Sequence, residues 1–155
     1  MPEIRKAIPA DIDSIIHLWK GLMDMHAPFN PLFQTVPDFA DKIRPEIEKW
    51  LENEAYTFFV AAEENEIAGF IKINVIERPL IFVQSKYGHI GETFVSEKFR
   101  GKGIGKDLTD AAKAHFRSHK VDFIDLVVSE NNPNGVTFWK AQGFETVNHL
   151  LVQQL

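Results

Sequence analysis

The apolar residues of this chain recur with two different periods, which divide it into helical and extended segments. Residues 11–25 place apolar side chains three or four positions apart, and this spacing predicts an amphipathic helix. Residues 56–62 are almost continuously apolar, as in an interior strand, whereas residues 67–76 alternate between apolar and polar. The polar residues 63–66 between them predict the turn of a β-hairpin.

The same two patterns predict the remaining elements, in an order typical of α/β proteins. The second helix is expected to be interrupted at Arg44-Pro45, because proline disfavours helical backbone at the residue before it. No repeat or linker divides the chain, so residues 1–155 are predicted to form a single domain with a mixed sheet. The predicted helices are 11–25, 38–54, 102–120 and 134–142, and the predicted strands are 4–7, 56–62, 67–76, 88–95, 123–128 and a last one from Phe144 onward.

The connection 26–37 is rich in apolar residues for a loop. It contains Phe29, Leu32 and Phe33 together with three prolines. These side chains either pack onto the core or form the wall of a substrate pocket, since apolar loops often line binding sites. The sequence leaves both interpretations open.

Composition excludes several classes of protein. The formal net charge of −5 argues against general binding of nucleic acid through its phosphate backbone. The chain has no cysteine, which excludes disulfides, zinc–thiolate sites and a cysteine nucleophile, and its histidines lack the spacing of a metal site. No apolar run approaches the ~20 residues that span a bilayer, and the first residues lack an apolar leader. We therefore expect a cytoplasmic protein without a metal ion or a membrane partner.

A glycine-rich turn joins the predicted strand 88–95 to the helix that follows it. Residues 100–105 read Arg-Gly-Lys-Gly-Ile-Gly, and glycines at a helix start leave N–H groups unobstructed where the helix dipole is positive. Such a turn predicts a site for a phosphate or pyrophosphate. A P-loop requires four residues between its glycines, whereas Gly101 and Gly105 enclose three. A dinucleotide fingerprint requires a glycine where Lys106 stands, so neither nucleotide pattern fits.

The turn resembles the Arg/Gln-x-x-Gly-x-Gly/Ala signature of the GNAT acyltransferase superfamily. Residues 132–144, which read Asn-Pro-Asn-Gly-Val-Thr-Phe-Trp-Lys-Ala-Gln-Gly-Phe, resemble its second motif, in which an asparagine precedes a helix that ends in Gly-Phe. The start of the chain, residues 4–7 followed by Asp11, resembles the first strand and helix of that superfamily. The resemblance covers essentially the whole chain. It implies a GNAT-like α/β fold, with a mixed and partly splayed sheet of about six to seven strands flanked by about four helices.

The resemblance also implies an activity. GNAT enzymes transfer an acetyl group from acetyl-CoA to an amine, here expected to be a primary amine of a small molecule that attacks the thioester directly in a ternary complex. Strands 88–95 and 123–128 would splay apart to admit the pantetheine arm of the coenzyme. The residues expected to bind acetyl-CoA are Phe94, Val95, Arg100, Gly101, Lys102, Gly103, Ile104, Gly105, Lys106 and Asn132.

An alkylammonium acceptor with a pKa near ~10 must lose a proton before it attacks, which requires a base. The candidates are Glu92 and His89, both on the strand before the turn. Strict alternation would point them to opposite faces of the sheet unless a bulge intervenes. Many GNAT enzymes carry a tyrosine as the acid seven residues after the motif asparagine, but this chain has Trp139 there. Its indole is not a usable proton source, so Trp139 is expected to pack beside the coenzyme or in the core.

Other functions and the oligomeric state stay open at this point. The acceptor could instead be a protein N-terminus or a lysine, and a chain without the tyrosine could be a coenzyme-A-binding sensor that does not turn over. The last predicted strand, from Phe144 to Leu155, offers apolar area for a homodimer. The sequence does not identify the acceptor amine.

Overall fold

The computed structural model describes all 155 residues, in five strands and four helices. The strands form one sheet in the order β1-β2-β3-β4-β5, antiparallel throughout except for the parallel pair β4 and β5. The α/β prediction is therefore confirmed, but the sheet has five strands and not the six or seven expected. In chain order the elements are β1 Glu3–Lys6, α1 Ile12–His26, α2 Phe39–Glu52, β2 Tyr56–Glu63, β3 Glu66–Glu77, β4 Lys86–Val95, α3 Ile104–Ser118, β5 Ile124–Leu126 and α4 Pro133–Ala141.

Each face of the sheet is covered by its own helices. On one face α1 and α2 bury an apolar cluster that includes Ile15, Trp19 and Phe70. On the other face α3 buries a second cluster, which includes Leu108 and Phe116. The alternation along β3 supplies side chains to both clusters, so this central strand is buried on both sides. None of the helices is both long enough and apolar enough to cross a membrane.

The helix α2 runs without a break through Pro45, so the interruption expected at Arg44-Pro45 is wrong. Proline removes one hydrogen bond from the helix interior, which costs about 3 kcal/mol. Ile43, Ile47 and Trp50 pack against the first cluster from one side of this helix. We infer that this burial outweighs the local preference of the proline.

The C-terminal tail, residues 145–155, forms no strand, so the strand predicted from Phe144 onward is wrong for the single chain. No backbone group of the tail makes a hydrogen bond within the chain. Phe144 itself packs against the second cluster, but the chain beyond it has no neighbouring strand to form a ladder with. Apolar composition alone does not make a strand, since pairing requires a partner edge.

A β-bulge in β4 changes the direction of the side chains that follow it. Lys72 of β3 lies opposite two residues of β4, Gly91 and Glu92, because the register shifts at this point. An inserted residue reverses the alternation beyond it. Ile90 points into the cluster under α3, so His89 and, after the bulge, Glu92 both point to the face covered by α1 and α2.

Candidate active site

The two parallel strands separate after a short ladder. β4 and β5 pair from Gly88 opposite Ile124 to Ile90 opposite Leu126, and no further. β4 continues to Val95 while the chain beyond β5 turns away toward α4, so residues 91–95 have an unpaired edge on this side. An extended ligand can add to such an edge through main-chain hydrogen bonds.

An anion seat, residues 101–106, lies where this open edge meets the start of α3. The N–H groups of these six consecutive residues donate to no acceptor in the chain. Gly101 and Gly103 have φ of 77° and 83°, and a Cβ at either position would meet nothing within 4 Å. Unpaired N–H groups at a helix N-terminus bind phosphate and pyrophosphate groups. The residues present therefore fit the pyrophosphate of coenzyme A.

The basic side chains near the anion seat differ in their surroundings. Arg100 donates from Nε to the carbonyl oxygen of Val95 at 3.0 Å, which fixes the end of β4. Lys106 is exposed and donates to Asp110 at 2.5 Å, and this hydrogen bond raises the pKa of Lys106. Lys102 is also exposed and pairs with no carboxylate. The seat is thus formed mainly by backbone groups, with two ammonium groups at its rim.

Phe94 and Val95 end the open edge with their side chains on opposite faces. The ring of Phe94 packs toward α1, where a Cβ on Gly21 would come within 3.2 Å of it. The side chain of Val95 packs against the cluster under α3. Ile104 is fully buried in that same cluster, which anchors the first turn of α3 beneath the anion seat.

The second motif caps and packs α4 against α3. Asn132 is the N-cap of α4, and its Oδ1 accepts a hydrogen bond from the N–H of Gly135 at 3.1 Å. Gly105 lies so close to Phe138 that a Cβ there would come within 3.2 Å of the ring. Trp139 is half-buried, with the ring of Phe138 4.8 Å from its own, and packs against the cluster under α3. The structure thus places Trp139 in a packing position.

The two candidate bases lie on one face but in different electrostatic settings. His89 Nδ1 lies 2.6 Å from Asp125 Oδ1 of β5, so one ring nitrogen is hydrogen-bonded to a carboxylate. Glu92 Oε2 lies 3.4 Å from Lys72 Nζ, is buried, and accepts no geometrically satisfactory hydrogen bond within the chain. Lys72 is the residue of this site that the sequence did not indicate, because a lysine at a polar position of the alternating strand 67–76 carries no local signal.

The apolar loop 26–37 closes the α1 side of the site. The ring of His26 packs edge-on against Phe29 and Phe33, at centroid distances of 5.8 and 5.5 Å. Asn131, in the connection between β5 and α4, donates to the carbonyl oxygen of Phe29 at 3.4 Å. The loop therefore contacts the segment that follows the splay, and its role as a pocket wall stays a prediction.

A cavity of about 410 Å³ lies elsewhere in the molecule. It is bordered by Lys6, Thr57, His115 and His119, at the C-terminal end of α3, whereas the anion seat lies at its N-terminal end. Burial, together with the charges of His119 and Lys6, lowers the pKa of His115. This cavity is not part of the site described above.

Comparison with known proteins places this geometry in a family. The model of the acetyltransferase (GNAT) family matches residues 19–144. The chain belongs to the GNAT family. A mycothiol acetyltransferase from Thermobispora bispora is 32% identical over 107 residues, a match that covers 67% of this chain and 34% of that protein. The chain thus spans about a third of the length of this relative.

Solved structures share the GNAT fold over nearly the whole chain. The tetramutant of the BH1408 protein from Bacillus halodurans superposes with a TM-score of 0.87 at 23% identity, covering 99% of both chains. The predicted acetyltransferase of Clostridium acetobutylicum, crystallised with acetyl-CoA, superposes with a TM-score of 0.81 at 21% identity, covering 99% of this chain and 96% of that one. The family prediction is confirmed. The roles of the individual site residues remain predictions.

Proposed function

We propose that this GNAT protein is an acetyl-CoA-dependent N-acetyltransferase that acts on a primary amine of a small molecule. The observation that carries the proposal is the row of six unpaired N–H groups in the anion seat, directly beside the open edge of β4. Acetyl-CoA supplies an acetyl group activated as a thioester. The Clostridium acetobutylicum neighbour, which was crystallised with acetyl-CoA, supports the choice of this donor.

Different residues of the site bind the coenzyme and transfer the proton. The anion seat binds the pyrophosphate, and residues 91–95 offer backbone groups to the amides of the pantetheine arm. Glu92 accepts the proton of the acceptor ammonium, directly or through water. Asn132 holds the start of α4 beside the seat. Trp139 takes no part in proton transfer, because it is packed and its indole is not an acid.

A small acceptor is favoured over a protein acceptor by the position of the loop 26–37. The contact between Asn131 and Phe29 joins this loop to the segment after β5, and we expect it to restrict access to the acceptor side of the site. A peptide acceptor would instead require an open groove along the sheet. Glu92 lies on the same face of the sheet, and the carboxylate oxygen that does not contact Lys72 can accept a hydrogen bond from an ammonium group.

The direct test is turnover. Purified protein is incubated with acetyl-CoA and a panel of small amines and peptides, and free thiol is measured together with the acetylated product. We expect acetylation of at least one small amine and a rise in melting temperature with coenzyme. Coenzyme binding without turnover on any acceptor would favour a sensor, and selective turnover of peptides would favour a protein acetyltransferase. Absence of binding at millimolar acetyl-CoA would refute the proposal.

We also infer that the protein is a homodimer joined through its C-terminal tail. The tail exposes several apolar side chains, and its backbone makes no hydrogen bond within the chain. The connection between β3 and β4 also exposes apolar side chains, and exposed apolar patches often mark protein–protein contacts. The exposed apolar residues are Val147, Leu150, Leu151, Val152 and Leu155 in the tail, and Leu80, Ile81, Phe82 and Val83 in this connection.

Size-exclusion chromatography with light scattering tests the dimer. We expect twice the monomer mass for the wild type and the monomer mass for the double variant L150D/L151D. Ile8→Asp is the matched control, since Ile8 is exposed but far along the chain from both segments. A monomeric wild type would contradict the inference. The cytoplasmic location expected from the sequence stays a prediction.

A further inference from the structure

Lys72 is a charged residue in the interior of the central strand β3. Its side chain is only 12% exposed, and it points to the face where its neighbour Phe70 is fully buried. Burying an ammonium group is unfavourable unless other groups replace its hydration. The surroundings of Lys72 must therefore supply favourable interactions.

Three aromatic rings surround the ammonium group of Lys72. Its Nζ lies 3.9 Å from the ring centroid of Trp50, 5.4 Å from that of Trp19 and 5.6 Å from that of Tyr56. The rings of Trp19 and Trp50 are themselves stacked, with centroids 5.8 Å apart. Cation–π attraction between the ammonium group and these rings holds the side chain in a defined position. The rings come from α1, α2 and β2, so three elements fix one charge.

The fixed charge is directed at the candidate base. Lys72 Nζ lies 3.4 Å from Glu92 Oε2, and this oxygen is buried without another partner. The bulge at Gly91 creates the contact, because it turns Glu92 to the same face as Lys72. The other carboxylate oxygen carries the remaining hydrogen-bonding capacity of Glu92, whose side chain is 27% exposed.

We propose that Lys72 is a positioning residue that holds Glu92 through one carboxylate oxygen, so that the other oxygen is presented to the acceptor amine. This inference rests on the proposed function. No other cation lies within ion-pair distance of Glu92. His89, on the same strand, pairs with Asp125, and α1 and α2 present uncharged indoles to Lys72. Lys72 is therefore the one cation that contacts Glu92.

A double-mutant cycle separates this role from a contribution to folding alone. Lys72→Met removes the charge and keeps an unbranched side chain, and we expect kcat to fall about tenfold, within the range of pairwise coupling, while the KM for acetyl-CoA is unchanged. Lys72→Arg keeps the charge and should recover part of the loss. In a Glu92→Gln background, Lys72→Met should have no further effect. Lys42→Met is the matched control, since Lys42 also lies 3.4 Å from a carboxylate but is exposed.

The outcomes distinguish failure of the positioning role of Lys72 from failure of the proposed acetyltransferase function. Equal proportional losses from Lys72→Met in both backgrounds would overturn the positioning role while leaving acetyl transfer intact. Glu92→Gln with wild-type turnover would overturn it as well, because there would be no base to position. Absence of turnover by the wild-type protein would refute the proposed function, and this inference with it.

Discussion

Gly103 offers a sharp test of the anion seat, because its backbone conformation determines both the shape of the turn and the direction of the N–H groups. Its φ of 83° lies in the left-handed region, and a Cβ there would contact nothing within 4 Å. The cost of Gly103→Ala is therefore conformational and not steric. Forcing an L-residue into this region costs about 1–2 kcal/mol. At about 2–4 °C per kcal/mol for a chain of this size, the melting temperature should fall by about 2–8 °C.

The effect on coenzyme binding should be larger than the effect on stability. If the strained backbone relaxes by rotating one peptide, one N–H leaves the seat. A hydrogen bond to a charged group is worth about 1.5–3 kcal/mol, so the Kd for coenzyme A should rise about 10- to 150-fold. Isothermal titration calorimetry of the purified variant with coenzyme A measures this change.

Gly143 supplies a matched control. It has φ of 93°, again with open space around a Cβ, but it follows α4 at the end remote from the capping residue of that helix. Gly143→Ala should lose similar stability and bind coenzyme A like the wild type. Equal coenzyme affinity in the two variants would refute the assignment of the anion seat, however the stabilities compare.

Two further predictions concern the base and a buried ion pair. Glu92→Gln should lower kcat in steady-state assays by about 10²- to 10⁴-fold, the range for loss of a general base. His89→Ala should change kcat only a few-fold. If His89→Ala had the larger effect, His89 would be the base. Arg5 donates two hydrogen bonds to Asp11, at 2.7 and 2.9 Å, and these lower the pKa of Asp11. This stabilisation is present above the ordinary pKa of an aspartate and is lost as pH falls through the lowered value. Asp11→Asn should thus lower the free energy of unfolding, measured in urea at pH 7, by about 1–3 kcal/mol. The difference in free energy from the wild type should become smaller in acid. A difference that does not change with pH would contradict this prediction.

Local signals in the sequence determined much of the coenzyme side of the site. Gly101 and Gly103 adopt a left-handed backbone that other residues rarely adopt, so the spacing of the glycines indicated the unpaired N–H groups at the start of α3. Asn132 likewise has a capping preference that is local to its helix. Such features depend on a few consecutive residues, and the sequence contains all of them.

Two features of β4 and the tail required the tertiary structure. The bulge at Gly91 is a mismatch between two strands, and neither strand shows it alone, so the sequence left open whether His89 and Glu92 share a face. The missing strand at residues 145–155 is a similar case, because a strand exists only when another edge pairs with it. Pairing depends on two segments, so the sequence of one strand does not determine its register with the other.

The sequence by itself determined the family, and it predicted acetyl-CoA as the donor and Glu92 and His89 as candidate bases. Only the tertiary structure brought Lys72 to Glu92, by packing rings from α1, α2 and β2 around a lysine of β3. Five elements, α1, α2, β2, β3 and β4, meet at this point. Local patterns record which face of an element is buried, whereas the contacts made there depend on how all the elements pack together.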